Sequence, residues 1–216
     1  MSAEARLREE ICRLAASLFA RGLTHGSTGN LSARTEDGGL LVSPTGASFG
    51  ALDPARLARF DEGGRLVAGD LPTKEMPLHA AFYETRSTAG AVVHLHSTHA
   101  VALSLLPGAD SGDFLPPLTP YAVMKLGRVA LLPVFLPGDP AMGEAVRGLA
   151  GRRSAVMLAH HGPVVAGRDV AAAVAAVEEL EETAKLALLT RGLDARALGT
   201  DMVRAVVDRF AVDWEG

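Results

Sequence analysis

Short apolar runs that are typical of β-strands alternate with amphipathic helical segments along this chain, and their spacing is irregular. Successive parallel βαβ units would place strands and helices at more regular intervals. The 216 residues are enough to fill one hydrophobic core. We therefore predict a single domain over residues 1–216 of the α/β class, with a three-layer αβα architecture and a central mixed or mainly antiparallel sheet.

Hydrophobic periodicity and turn residues indicate the expected elements. The predicted helices are residues 5–20, 74–85, 98 to before 107, 140–148 and 170–191, and the predicted strands are residues 31–33, 40–42, 91–96, 129–135 and 155–160. A turn at Asp37-Gly38-Gly39 is expected to join the first two strands as a hairpin. Thr73 and Ser97 are the expected N-caps of the second and third helices, because their hydroxyls can accept hydrogen bonds from backbone N–H groups.

The composition favours a packed globular protein and argues against nucleic acid as a partner. Hydrophobic residues make up 48% and charged residues 21% of the chain. The 21 Lys and Arg residues are outnumbered by 25 Asp and Glu, so no basic field would hold a phosphate polymer. No run approaches the roughly 18 apolar residues that a membrane span needs. Cys12 is the only cysteine and the charged first residues lack the pattern of a secretory signal, so we expect no disulfide and a cytoplasmic location.

A pair of histidines in a valine-rich run is the strongest local signal. His94 and His96 are two residues apart, and side chains at that spacing in a strand point the same way, so both imidazoles could bind one metal ion. Each could instead be a structural histidine held by a hydrogen bond. Catalytic zinc commonly has three protein ligands, and His161, near the end of another apolar run, is a candidate for the third. Adjacent His160 would point to the opposite side of a strand, where it packs or forms hydrogen bonds.

Glu75 is the candidate acid/base. It lies at the start of a predicted helix, where the helix dipole stabilises a carboxylate whatever its role. Beside a metal, a carboxylate could serve as a fourth ligand in the empty site and as a proton carrier when substrate is bound. His79 follows four residues later on the same helix face, so it could orient Glu75 or belong to the core.

Two glycine turns and one helix start offer the groups that bind an anion. Residues 27–30 and 43–46 carry hydroxyls and backbone N–H groups with little side-chain bulk. Thr73 and Lys74 add a hydroxyl and a positive charge, which suit a phosphate monoester. Either glycine segment could also be no more than a turn, so the hypothesis of a phosphate site depends on all three segments together.

Five motifs follow one another in a specific order: Thr28-Gly29-Asn30-Leu31-Ser32, Ser43-Pro44-Thr45-Gly46, Lys74-Glu75, His94-Leu95-His96 and His160-His161-Gly162. Together they resemble the class II aldolase/adducin family, and the similarity extends over roughly residues 7–190. This resemblance implies an αβα fold and a homotetramer with sites between neighbouring subunits. It implies one Zn²⁺ per subunit held by His94, His96 and His161, with Glu75 as acid/base. It also implies a phosphate site formed by Gly29, Asn30, Thr45, Gly46, Thr73 and Lys74.

Longer motifs are similar to one branch of this family, the 3-oxo-tetronate 4-phosphate decarboxylases: Pro72-Thr73-Lys74-Glu75-Met76-Pro77-Leu78-His79, Leu115-Pro116-Pro117-Leu118-Thr119-Pro120-Tyr121, Leu131-Leu132-Pro133 and Pro137-Gly138-Asp139-Pro140-Ala141-Met142. The likeness implies conversion of a 3-oxo sugar acid phosphate to dihydroxyacetone phosphate and carbon dioxide. Tyr121 falls where aldolase relatives place a proton-donating tyrosine, usually in a neighbouring subunit's site. A structural role for this tyrosine is the alternative.

Two other functions remain open at this level. A class II aldolase that cleaves a ketose 1-phosphate such as fuculose 1-phosphate would form the same enediolate with the same metal and carboxylate. The fuculose-phosphate aldolase pattern has serines where this chain has Thr73 and Lys74. A non-catalytic, adducin-like binding module is the third reading, although all three ligand histidines and Glu75 are present.

Overall fold

The centre of the molecule is an eight-stranded sheet in the computed structural model, which describes residues 1–108 and 111–214. The strands are β1 (Asn30–Arg34), β2 (Leu40–Val42), β3 (Ala58–Phe60), β4 (Leu66–Ala68), β5 (Ala91–His94), β6 (Ala130–Leu132), β7 (Ala155–Leu158) and β8 (Gly162–Gly167). Their order across the sheet is β4-β3-β2-β1-β5-β8-β7-β6. Strands β6 and β7 are parallel and the other neighbours are antiparallel, which confirms the predicted mixed, mainly antiparallel sheet.

Helices cover both faces of this sheet. They are α1 (Ala3–Ala20), α2 (Met76–Thr85), α3 (Thr98–Ser104), α4 (Pro120–Leu126), α5 (Ala141–Gly148), α6 (Val170–Leu189) and α7 (Thr200–Phe210). Side chains of β5 alternate between the layers: Val93 packs with α1 and α6, whereas Val92 packs with α2 and α5. The predicted three-layer αβα architecture is therefore confirmed. Over the described ranges, no helix is both long enough and apolar enough to cross a lipid bilayer.

Helix α1 shows how periodicity produces this packing. Ile11, Ala15 and Leu18 recur at spacings of three and four residues, lie on one helix face and are fully buried. Burying a side chain of isoleucine or leucine contributes about 1.5–3 kcal/mol to stability. The Ser2 hydroxyl accepts a hydrogen bond from the Ala5 N–H and so begins the helix two residues before the predicted start.

Helix α2 begins at Met76, two residues later than predicted, and this difference shapes the site. Pro77 has no backbone N–H and fits only in the first turn of a helix, which leaves Glu75 at the N-cap position. Thr73 does not cap the helix, because its hydroxyl accepts a hydrogen bond from the Glu75 N–H at 3.2 Å. Glu75 forms no side-chain cap either, and its carboxylate contacts side chains of the sheet instead.

Strand β5 ends at His94, two residues earlier than predicted. The chain turns over residues 95–97 into α3, where Ser97 occupies the N-cap position but its hydroxyl forms no capping hydrogen bond. The carboxylate of Glu181, from α6, instead accepts hydrogen bonds from the N–H groups of His99 and Ala100, both at 2.9 Å. The prediction that Ser97 caps this helix through its side chain is therefore wrong, because a carboxylate from a distant helix takes that place.

Five elements lie outside the predictions: β3, β4, β8, α4 and α7. The strands β3 and β4 have three residues each, too few for a clear hydrophobic period. Strand β8 begins with Gly162 and Pro163, residue types that usually interrupt a strand. Glycine is required at position 162, because a Cβ there would lie 1.9 Å from the carbonyl oxygen of Leu95. Helix α7 packs on α4 in a small separate cluster rather than on the sheet.

Candidate metal centre and active site

Three imidazoles, two from one segment and the third from a distant turn, meet at one end of β5. His94 is the last residue of β5, His96 lies in the turn before α3, and His161 lies in the turn between β7 and β8. One ring nitrogen from each histidine lies within 4.8 Å of the others, and the ring centroids are 4.6 to 4.9 Å apart. The structure therefore brings together all three histidines that the sequence indicates as metal ligands, although only His94 belongs to a strand.

His94 shows most directly that this cluster fits a metal ion. Its ring is fully buried, and its Nδ1 is 2.9 Å from the Pro163 carbonyl oxygen. A carbonyl oxygen only accepts, so Nδ1 carries the proton and Nε2 keeps a lone pair. That Nε2 has no hydrogen-bond partner in the described part of the chain, which is costly for a buried polar atom. A divalent cation would satisfy it, and a hydrogen bond from the other ring nitrogen to a carbonyl is the usual support of a metal-bound histidine.

All three imidazoles favour the neutral form that binds metals. Burial lowers the pKa of His94, and neighbouring His161 and His96 lower it further. Burial also lowers the pKa of His96 to about 4, and it lowers the pKa of His161 against the opposing effect of Glu75. The Nε2 atoms of His96 and His161 are 3.1 Å apart. Two nitrogens bound to one tetrahedral zinc ion at about 2.05 Å would be separated by about 3.3 Å, so the donor set suits such an ion.

The Glu75 carboxylate lies directly beside the three rings. Its Oε2 is 3.4 Å from His94 Nε2, and its Oε1 is 3.4 Å from His161 Nε2. Glu75 is only 7% exposed, and the Asn30 Nδ2 donates a hydrogen bond to Oε2 at 2.7 Å. A carboxylate in this place can complete the coordination of a metal or carry a proton to a molecule bound next to it.

An open cleft of about 300 Å³ leads to the histidine cluster. Besides His96, His161 and Glu75, its lining includes all six residues of the expected phosphate site: Gly29, Asn30, Thr45, Gly46, Thr73 and Lys74. A β-bridge between Pro44 and Pro72 holds the second glycine turn against the segment that precedes α2. The chain therefore places both segments on the same wall of the cleft. A larger groove of about 610 Å³ adjoins this turn but is lined by none of the three histidines.

The residues of this wall differ in how far they are available to a ligand. Lys74 is exposed and forms no ion pair within residues 1–108 and 111–214, so its ammonium group can bind an anion. Asn30 is 6% exposed, and its amide already contacts Glu75 on one side and His79 on the other. One N–H of that amide is left for a ligand. Gly29 has a φ of 82°, and a Cβ there would lie 2.9 Å from the His94 carbonyl oxygen, so glycine lets this turn pass close to the end of β5.

Two residues singled out in the sequence lie outside this cleft in the single chain. Tyr121 is in the first turn of α4 and is 62% exposed, with the Lys125 Nζ 5.9 Å from its ring centroid. His160 is exposed and has a φ of 60°, in the turn that follows β7. The prediction that His160 lies within a strand is wrong, because β7 already ends at Leu158.

Three buried polar residues near the site were not predicted from the sequence. The Ser32 hydroxyl is 2.7 Å from His79 Nδ1 and 2.8 Å from the Tyr83 hydroxyl, and Glu181 holds the start of α3. Ser32 is two residues after Asn30 on the same strand face, and Tyr83 is four residues after His79 on the same helix face. Glu181 lies on the apolar face of α6. A polar side chain on such a face indicates a buried polar contact, which is the signal that would have found all three.

Comparison with known proteins extends these observations. The family model for the class II aldolase and adducin N-terminal domain matches residues 9–188. The 3-oxo-tetronate 4-phosphate decarboxylase of Cupriavidus necator is 49% identical over 218 residues, which cover 99% of this chain and 100% of that protein. The L-fuculose phosphate aldolase of Haemophilus influenzae is 30% identical, over 95% of this chain and 94% of that protein. The crystal structure of YgbL from Escherichia coli matches with a TM-score of 0.92 and 43% identity, over 95% of this chain and 99% of that one. The chain therefore belongs to the class II aldolase/adducin family.

Proposed function

We propose that this chain is a zinc-dependent carbon–carbon lyase that converts 3-oxo-tetronate 4-phosphate to dihydroxyacetone phosphate and carbon dioxide. The observation that carries the proposal is the Glu75 carboxylate, held 3.4 Å from two imidazole nitrogens at the end of a cleft. This arrangement supports proton transfer at a carbon next to a carbonyl group. The choice of reaction is supported by the decarboxylase of Cupriavidus necator, which is 49% identical over its whole length.

His94, His96 and His161 would hold the metal, and we propose zinc because three neutral imidazoles and an open position are typical of its catalytic sites. When bound, the ion would act as a Lewis acid on the C3 carbonyl and C2 hydroxyl oxygens of the substrate and so stabilise the charge that develops there. His94 fixes the position of the site, because its ring is buried and its Nδ1 donates to the Pro163 carbonyl oxygen. His96, in the turn that follows β5, and His161, in the turn between β7 and β8, complete the set.

The reaction requires one proton at C2 of the substrate. Loss of carbon dioxide breaks the C1–C2 bond and leaves its electron pair shared between C2 and the C3 carbonyl group. Glu75 carries a proton to C2 on Oε1, the oxygen that is not engaged by Asn30, and then takes up a proton from the solvent that enters the open cleft. Lys74, the Thr45 hydroxyl and the Gly46 N–H bind the phosphate at the other end of the substrate, because the Thr45 N–H already donates to the Leu71 carbonyl oxygen.

Aldol cleavage of a ketose 1-phosphate is the second candidate. The L-fuculose phosphate aldolase of Haemophilus influenzae is 30% identical over 95% of this chain, and the same metal and carboxylate would serve both reactions. The two reactions differ in the group that leaves, which is carbon dioxide in one and an aldehyde in the other. Products therefore discriminate between them, whereas metal content does not.

A substrate panel with purified, zinc-loaded protein tests the proposal. We expect carbon dioxide from 3-oxo-tetronate 4-phosphate and no aldehyde from fuculose 1-phosphate. Glu75→Gln should abolish turnover, whereas Glu84→Gln, the same change at an exposed position of the same helix, should leave it intact. Aldehyde release without carbon dioxide would replace the proposed reaction by aldol cleavage. Substoichiometric zinc in protein purified without chelator, together with no turnover, would favour a non-catalytic binding module.

We further propose a homotetramer in which a neighbouring subunit completes the cleft. Tyr121, Val134 and Leu136 are 62%, 61% and 77% exposed, and burying such side chains against a neighbouring subunit would stabilise the assembly. Tyr121 would reach a neighbouring site as a proton donor. Light scattering of the purified protein checks the assembly, and a monomer would contradict it. The cytoplasm is the proposed location, because sugar phosphates are intracellular metabolites and Cys12 is a free thiol.

A further inference from the structure

Helix α2 and strand β1 face each other with matched spacing of polar side chains. Glu75 at the N-cap of α2 and His79 and Tyr83 within the helix recur every four residues, which is a rise of about 6 Å per step. On β1, Asn30 and Ser32 are two residues apart, which is a rise of about 6.8 Å. Because the two steps are nearly equal, each polar group of one element meets a polar group of the other. We call these five residues the polar seam.

The polar seam is a continuous chain of buried hydrogen bonds. The Tyr83 hydroxyl is 2.8 Å from Ser32 Oγ, which is 2.7 Å from His79 Nδ1. His79 Nε2 is 2.5 Å from Asn30 Oδ1, and Asn30 Nδ2 is 2.7 Å from Glu75 Oε2. None of the five residues is more than 7% exposed. The chain of bonds therefore ends on the candidate proton carrier and is shielded from water along its length.

With Glu75 ionised or protonated on Oε1, each bond in the polar seam has one direction. Glu75 Oε2 accepts both in the ionised carboxylate and in the acid protonated on Oε1, so Asn30 must present its NH₂ group to it and its oxygen to His79. That oxygen only accepts, so His79 carries its proton on Nε2, and its Nδ1 accepts from the Ser32 hydroxyl. The Ser32 oxygen in turn accepts from the Tyr83 hydroxyl. Burial lowers the pKa of His79 to about 3, which keeps the ring neutral with a single N–H.

We propose that the polar seam positions Glu75 for proton transfer and that His79 is its central positioning residue. The N–H of His79 donates to the Asn30 oxygen and so anchors the amide whose NH₂ group donates to Oε2. Without it, that buried oxygen loses its donor, the amide can tilt away from Oε2, and the carboxylate loses a fixed donor. With it, Oε2 is engaged by Asn30, and Oε1, 3.4 Å from His161 Nε2, is left to carry the proton. This inference rests on the proposed role of Glu75 as the proton carrier.

The kinetics of His79 variants test this inference. His79→Leu should lower kcat by about 10- to 100-fold, because it releases the proton carrier, and should change KM by less than about twofold, because the substrate-binding groups remain. His79→Gln offers an NH₂ group to Asn30 and an acceptor oxygen to Ser32, and it should recover most of the loss. Phe82→Leu, on the same helix in the adjacent apolar core, is the matched control and should lower Tm without lowering kcat. Unchanged kcat in His79→Leu would overturn the proposal.

The tautomer of His79 tests the polar seam without any substrate. In zinc-loaded protein with ¹⁵N-labelled histidine, the His79 signals, assigned by their loss in His79→Gln, should show a protonated Nε2 and an unprotonated Nδ1. A proton on Nδ1, or rapid exchange between the two tautomers, would overturn the proposal. Inactivity of the wild-type protein on the whole substrate panel would contradict the proposed function, whereas the tautomer would still decide whether the polar seam has the derived direction.

Discussion

Glu181→Ala is expected to weaken both the fold and the binding of zinc. The Oε1 of Glu181 accepts from the His99 N–H at 2.9 Å and is 2.7 Å from His99 Nδ1, and its Oε2 accepts from the Ala100 N–H at 2.9 Å. These N–H groups belong to the first turn of α3, which Ser97 leaves without a side-chain cap. Glu181 is 6% exposed, so solvent has little access to replace the lost acceptor.

The magnitude follows from the groups that the substitution leaves behind. Each buried N–H that loses its acceptor costs about 1–3 kcal/mol, and loss of a negative charge at a helix N-terminus adds about 0.3–1 kcal/mol. Because the His99 N–H is only partly buried, we expect Glu181→Ala to lower the free energy of unfolding by about 2–5 kcal/mol. Glu181→Gln keeps one acceptor oxygen and should cost about 1–2 kcal/mol. Because His96 immediately precedes the N-cap of α3, zinc affinity should fall by about 10- to 100-fold in the alanine variant.

Two measurements check this prediction. Urea denaturation of metal-free protein gives the free energy of unfolding, and competition with a chromophoric chelator gives the zinc affinity. Glu182→Ala, at the neighbouring exposed glutamate of α6, is the matched control and should change stability by less than about 0.5 kcal/mol. If Glu181→Ala unfolds within about 1 kcal/mol of wild type and binds zinc with the same affinity, the start of α3 does not hold His96 in place and the reasoning is refuted.

Three further predictions concern the cleft, the subunit interface and the polar seam. Lys74→Met should raise KM for the phosphorylated substrate by about 5- to 20-fold and should have a smaller effect on kcat. Steady-state kinetics in which kcat falls and KM is unchanged would show that Lys74 does not bind the phosphate. Mixing Tyr121→Phe with Glu75→Gln subunits should restore activity if the tyrosine serves a neighbour's site, and hybrids as inactive as their parents would exclude that role. The difference in unfolding free energy between wild type and His79→Gln should decrease as the pH drops from 6.5 toward 3. The reason is that burial lowers the pKa of His79 from 6.5 in the unfolded chain to about 3 in the folded one, so protons bind preferentially to the unfolded chain in this range. This difference should change by at most about 1.4 kcal/mol per pH unit. Unfolding free energies from urea denaturation that depend on pH in the same way in both proteins would contradict the prediction.

The layers of the fold could be predicted from the sequence because they depend on hydrophobic periodicity. The strand 40–42 agrees with β2, and the helix predicted over 5–20 differs from α1 by two residues at its start. Strand β8 could not be predicted, because the glycine and proline at its start resemble a turn. Position 162 requires glycine because a Cβ there would collide with the carbonyl oxygen of Leu95. The two residues lie this close only when β5 and β8 are paired. Such contacts between distant segments are absent from any local pattern.

The chemical types at the site could also be predicted, whereas the partners of each side chain could not. The sequence indicated the three histidines and Glu75, and the structure brings them together. It indicated that His79 could orient Glu75, but the structure places Asn30 between them. The resemblance implies that Asn30 belongs to a phosphate site, which stays a prediction, and the sequence did not indicate that its amide also contacts Glu75 and His79. These outcomes depend on the register of β1 against α2, which single-residue chemistry does not specify.

The pairing of β5 on both of its edges has a consequence for how the metal enters and leaves. Strand β1 borders it on one side and β8 on the other, so the backbone at His94 opens only when the middle of the sheet comes apart. His96 and His161 lie in turns, and a turn opens at a much smaller free-energy cost. An ion bound here would therefore exchange without unfolding of the sheet: opening of the two turns would move His96 and His161, while His94 would stay in place.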